Sequence, residues 1–120
     1  MFGTASVTTY QRRLFFPDYH ADTNSVPYIL DEFAYFFETP YDTTDKNLPQ
    51  CTLDRPEGAS AAGRMSIMNH FLDVDVFGIL IPDRLSAPTT NSVSSIVAQA
   101  NICLKNWGRL PNVILVSIFC

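Results

Sequence analysis

The sequence predicts a mixed α/β fold built on parallel strands, and three observations carry that reading. Residues 113–119, Val-Ile-Leu-Val-Ser-Ile-Phe, are a continuous apolar and largely β-branched run, the pattern of a strand buried on both faces. Residues 93–107 repeat Val93, Ile96, Val97, Ala100, Cys103, Leu104 and Trp107 at helical spacing. The stretch Gly63 to Asp75 alternates toward a buried strand through Met65, Ile67 and Phe71, then ends in a polar cluster where a strand opens into a loop. Strands alternating with helices give parallel sheets. In α/β barrels the chemistry sits at the C-terminal ends of such strands, which draws attention to Asn69, His70 and Asp73. The competing structural reading of His70 beside Asn69 is a hydrogen-bonded strand cap.

Each element has its own local cause. Residues 1–11 are small and polar, and Leu14-Phe15-Phe16 reads as a short buried strand stopped by Pro17. A helix is expected next, with Ser25 as N-cap, Pro27 in the first turn, and Tyr28, Leu30, Phe33, Phe36 and Phe37 as its apolar face. Pro40 ends it, and the aromatic residues 35–37 allow a short strand there instead. Residues 42–50 have loop composition, and 51–56 leave room for only a very short strand. Val76 to Pro82 is apolar but closes quickly at Pro82-Asp83-Arg84, which suggests a packed loop. Asn91 or Ser92 caps the helix over 93–107, and Gly108 fits the position just past its end.

Composition narrows the function classes. Of 120 residues, 47% are hydrophobic and 17% charged, so the chain can bury a core despite a net charge of -4. The eight Lys and Arg are scattered, Arg12-Arg13 being the one adjacent pair, so nucleic acid is not an expected partner. No run is long and apolar enough for a membrane span, and the N-terminus lacks the basic and apolar regions of a signal peptide. Cys51 and Cys103 flank the central region as a staple would, the alternative being two buried thiols that never meet, and Cys120 has no evident partner. Alternation puts Asp73 and Asp75 on one face and His70 on the other, which argues against a metal site there.

Asp18-Tyr19, Ala21-Asp22, Val26 to Phe33, Glu38-Thr39-Pro40, Cys51 to Pro56, Asn69 to Asp73, Ala98-Gln99-Ala100 and Pro111 to Val116 together resemble the fungal PLC-like phosphodiesterases, relatives of the phosphatidylinositol-specific phospholipase C X domain. The resemblance runs from residue 12 to residue 116, leaving 1–11 unmatched and 117–120 as a divergent tail. It implies a partial TIM barrel, strands four to eight of a distorted (β/α)8 fold whose complete form takes about 250 residues. It also implies a parent that cleaves a phosphodiester, possessing catalytic histidines in the half that this match does not include. The chain alone is then expected to be inactive, and a non-catalytic secreted binding module is the alternative.

The same resemblance carries site residues. Asp18, Glu38, Arg55, Asn69 and His70 fall in family blocks at strand ends and are the substrate-pocket candidates, with Arg55 the best anion ligand because its planar fork suits phosphate oxygens. No residue is assigned as catalytic, and His20 looks like a departure from the family. The implied partner is a phosphodiester or phospholipid head group in the complete parent, with self-association through open barrel edges a further expectation. No cofactor is expected of this chain, and a divalent cation is left open for the parent, whose family is expected outside the cell. Pro17 stands where relatives usually carry Met. At Ser117 the sequence leaves the family pattern, and because Val-Ser can be encoded by GTGAGT or GTAAGT, residues 117–120 are expected to be intron read-through.

Overall fold

The structure, a computed structural model, describes residues 14–15, 24–25 and 27–117. The chain divides into two units, Met1–Phe36 and Phe37–Cys120. In the first, β1 (Leu14–Phe15) pairs in parallel with β2 (Ile29–Leu30), Leu14 opposite Ile29 and Phe15 opposite Leu30. The helix expected from Ser25 to Phe37 shrinks to one turn, α1 (Glu32–Tyr35). Aromatic side chains lose rotamer freedom in a helix and suit a pleated strand, and at the aromatic end of this segment the backbone becomes β3 (Phe36–Glu38).

The main sheet has the order β3-β4-β7, with β4 (Met65–His70) central and β7 (Val113–Val116) parallel to it in a register from Ile67 opposite Val113 to His70 opposite Val116. A parallel pair needs a long crossover, and here it includes α2 (Ala87–Thr90) and α3 (Val93–Trp107). The α3 boundaries are those the sequence sets. Ser92 Oγ accepts the Ser95 N–H at 3.3 Å, and Gly108 adopts φ 70° while its N–H reaches the Leu104 carbonyl at 2.8 Å.

The buried face of α3 meets β4 in a core of Cys51, Met68, Ala100 and Cys103, with Ile96, Ile102 and Trp107 packed against it. Cys51 and Cys103 form a disulfide, their Cα atoms 5.1 Å apart. Closing a loop of that length, 52 residues of separation, stabilises the fold by about 4 kcal/mol in the chain-entropy picture. The Trp107 indole N–H donates to the Cys51 carbonyl at 2.7 Å, and its ring centroid lies 5.1 Å from that of Phe37.

Half a barrel is not what these residues build. Among the described residues the strands fall into three separate sheets, β1-β2, β3-β4-β7 and an antiparallel pair of β5 (Asp73–Val76) with β6 (Ile79–Pro82). Barrel closure requires one continuous sheet in which each strand finds neighbours on both sides. Residues 79–82 instead turn back on 73–76, so their backbone groups are satisfied locally, and the segment after β3 contributes turns and an isolated bridge from Glu38 to Arg55 where a barrel needs a strand and helix. The expected loop over 76–82 is therefore half of a hairpin. The apolar run at 113–116 is also corrected: β7 is an edge strand, and Val113, Ile114 and Val116 are exposed, because β4 is its one strand neighbour among the described residues.

Candidate functional site

The pleat of β4 sorts its polar residues onto two faces. Asn69 points to β3. Its backbone N–H donates to Thr39 Oγ1 at 2.9 Å, while its side-chain Nδ2 donates to the Thr39 carbonyl at 2.7 Å and to Glu38 Oε2 at 3.4 Å. The same Glu38 oxygen forms an ion pair with Arg55 Nη2. Backbone bonds fix the two residues as well, with the Glu38 N–H donating to the Arg55 carbonyl at 2.8 Å and the Asp54 N–H to the Glu38 carbonyl at 2.9 Å. The Glu38 side chain is 1% exposed and that of Arg55 27%, so the carboxylate is the buried anchor and the arginine side chain is partly exposed. That guanidinium carbon stands 4.1 Å from the centroid of the Tyr41 ring. Tyr41 lines an open cleft together with Asp42, Thr44, Asp45, Gln50 and Asp54. A partly exposed guanidinium suits an anionic oxygen, and carboxylates beside it suit hydroxyl donors.

On the opposite face of β4, His70 is fully buried against α3. Its Nδ1 lies 2.6 Å from Gln99 Oε1, and its Nε2 lies 2.7 Å from the Thr90 carbonyl and 3.2 Å from Ser95 Oγ. Gln99 Nε2 donates to the carbonyls of Gln50 at 2.9 Å and Asn69 at 3.3 Å, which fixes the amide so that Oε1 faces the ring. Both ring nitrogens are committed inside the protein, and the side chain works as a strut between β4, the end of α2 and α3.

Just past β4, Asp73 lies at the edge of a small pocket shared with Phe71, Pro82, Leu115 and Ser117. Burial, and secondly the neighbouring Asp42 carboxylate, hold its carboxyl above the ordinary value of 3.8. The half-buried Asp83 moves the other way, its carboxylate favoured first by the Ser86 side chain and then by the Ser86 backbone N–H at 3.1 Å. Among the described residues no group of three or more His, Cys, Asp or Glu side chains is placed to hold a metal ion.

Comparison with known proteins places this arrangement. The family model described as PI-PLC X 1 matches residues 5–120. The chain belongs to the PI-PLC X family. A protein of Arthroderma benhamiae named PI-PLC X domain-containing protein 1 is 51% identical over 114 residues, covering 92% of this chain and 37% of that protein. A second protein of the same fungus, named an uncharacterized secreted protein, is 41% identical over 119 residues, covering 91% of this chain and 27% of its own length. The chain thus spans well under half the length of these curated relatives. No solved structure matches.

Within this PI-PLC X chain, the pocket candidates separate. Glu38, Arg55 and Asn69 come together around one carboxylate, His70 sits on the other side of the same strand, and Asp18 lies outside the described residues, as does His20. Cys51 and Cys103 are bonded, and a relative named as secreted accords with that, since disulfides persist in oxidising compartments. No helix among the described residues is long and apolar enough to cross a membrane. Tyr41, Thr39 and Gln99 were not singled out as site residues from the sequence. Gln99 carried a usable signal: a polar side chain one turn from Ser95 and Cys103 on an apolar helix face must find a buried partner.

Proposed function

We propose that this chain is part of a phosphodiester-cleaving PI-PLC X domain and recognises the polar head of its ligand without turning it over. The observation that carries the reading is the Arg55 guanidinium, oriented by Glu38 and by the Tyr41 ring on a side chain that is 27% exposed, beside a cleft bearing Asp42, Asp45 and Asp54. A polyol phosphate such as inositol phosphate matches both halves, its phosphate at the guanidinium and its hydroxyls at the carboxylates. Cleavage by a neighbouring hydroxyl needs a proton acceptor and a proton donor poised on opposite sides of phosphorus. Of the two histidines in the chain, His70 has both ring nitrogens occupied by Gln99, Thr90 and Ser95, which supports recognition without chemistry.

Calorimetric titration of the purified chain with inositol 1-phosphate tests recognition, and release of inositol phosphate from phosphatidylinositol tests turnover. Saturable binding that Arg55→Ala weakens by roughly tenfold or more is expected, the loss of one charge-assisted contact. Inositol phosphate release should not rise above buffer. Turnover that His70→Asn abolishes would overturn the non-catalytic part of the reading, and binding unaffected by Arg55→Ala would overturn the recognition part.

A further inference from the structure

We propose that the Cys51–Cys103 disulfide is a redox latch on the cleft beside Arg55. Oxidised, it clamps the cleft wall at residues 49–54 to α3; reduced, it releases that wall while the sheet stays folded. Pro49, Gln50 and Asp54 line the cleft together with Tyr41 and Asp42. Residues 48–54 form neither helix nor strand, so no regular ladder of backbone bonds fixes their course. What fixes them comes largely from α3. Cys51 is bonded to Cys103, its carbonyl accepts from the Trp107 indole at 2.7 Å and from Asn106 Nδ2 at 3.2 Å, and the Gln50 carbonyl accepts from Gln99 Nε2 at 2.9 Å. The wall then runs straight into Arg55, where the Asp54 and Arg55 N–H groups both donate to the Glu38 carbonyl, at 2.9 and 3.3 Å.

The two ends of the link differ in what else holds them. α3 is capped at both ends and joined to β4 by the Gln99 bond to the Asn69 carbonyl and by Ser95 and Gln99 against the His70 ring, and none of these contacts involves a sulfur. On the helix side there is no slack, because Cys103 is 1% exposed and its Sγ lies 3.5 Å from Met68 Sδ. Cleavage turns two bonded sulfurs into two thiols, which must part to van der Waals distance. The displacement falls on Cys51, since an irregular segment opens at less cost than a helix docked on a sheet.

The step is thiol–disulfide exchange with a dithiol reductant. A reductant thiolate attacks one sulfur of the link, its second thiol displaces that sulfur from the mixed disulfide, Cys51 and Cys103 gain two electrons and two protons, and the dithiol leaves as a disulfide. Both cysteines are buried, so attack proceeds through outward opening of 49–54, the same motion that reduction then makes lasting. Control over ligand rests on the recognition reading above; movement of the wall does not.

Amide hydrogen exchange of the full chain, oxidised and after dithiothreitol has exposed the two buried thiols, tests the latch. Trimethylamine N-oxide is present throughout to favour the compact state. In the reduced chain the Asp54 and Arg55 amides should exchange roughly tenfold faster or more, while Ile67 to His70 of β4 keep their protection. The Kd for inositol 1-phosphate should rise by roughly tenfold or more and recover on reoxidation. The double variant Cys51→Ala, Cys103→Ala should match the reduced chain without reductant, which separates the effect from Cys120. A wall that stays protected after reduction, one that opens only together with β4, or equal affinity in both redox states would overturn the latch. An oxidised chain that binds no inositol phosphate would sink the recognition reading alone, and the exchange rates at Asp54 and Arg55 would still decide the latch.

Discussion

Gln99 answers three buried groups with one amide: the His70 ring, the Gln50 carbonyl and the Asn69 carbonyl. Replacing it with Leu keeps the helix and strands them all. The expected loss is about 3 kcal/mol in urea unfolding, the scale for several buried polar groups left without partners, and an unchanged midpoint would count against the strut. Asp73 makes a prediction in pH. Its folded carboxyl titrates above the ordinary 3.8, so folding favours its protonated form, and its contribution to stability falls as pH rises from 3.8 through the higher folded value. Asp73→Asn should therefore raise Tm at pH 7 and leave it nearly unchanged at pH 3, as a calorimetric series would record. Much of this was readable at single positions. The residues Glu38, Arg55 and Asn69 were identifiable as polar members of recurring blocks, but their convergence on one carboxylate oxygen depends on contacts across 17 to 31 positions of sequence. Local patterning does not encode such separations.

Among the elements, α3 is the one whose limits follow most directly from its residues, because capping is local chemistry. Ser92→Ala removes the acceptor for the Ser95 N–H and should cost about 1 kcal/mol by denaturant unfolding. Elements that depend on neighbours were less legible. Val113 to Val116 has the composition of a doubly covered strand, yet exposure is decided by what lies beyond its far edge, which composition does not record. The hairpin was missed for a different reason. Phe77-Gly78 lacks the usual Asn-Gly signature, so the turn between β5 and β6 was hidden by the residue that occupies it. Conversely, the aromatic end of the expected first helix contained its own correction, since residues 35–37 suit a strand and Phe36–Glu38 forms one.

For the molecule as a whole, the disulfide is the covalent contact that ties Cys51 to the core across 52 positions of sequence. A domain of this size is stable by about 5–15 kcal/mol, so removing a link that contributes about 4 kcal/mol should shift or abolish the folding transition. Thermal melts with and without reductant measure this, and superimposable curves would show that the link contributes little. Family membership was legible because separated blocks in fixed order survive independently of how strands close. The barrel was not, because closure belongs to a continuous sheet and the described residues form three small ones. The same disulfide has an optical consequence. Trp107, the one tryptophan in the chain, packs against the cluster containing Cys51 and Cys103 and is tied to the Cys51 carbonyl. Disulfides quench indole emission by accepting an electron from the excited ring, so the intact protein should be dim and should brighten on reduction. The chain thus contains an intrinsic fluorophore that reports the oxidation state of its own core without an added label.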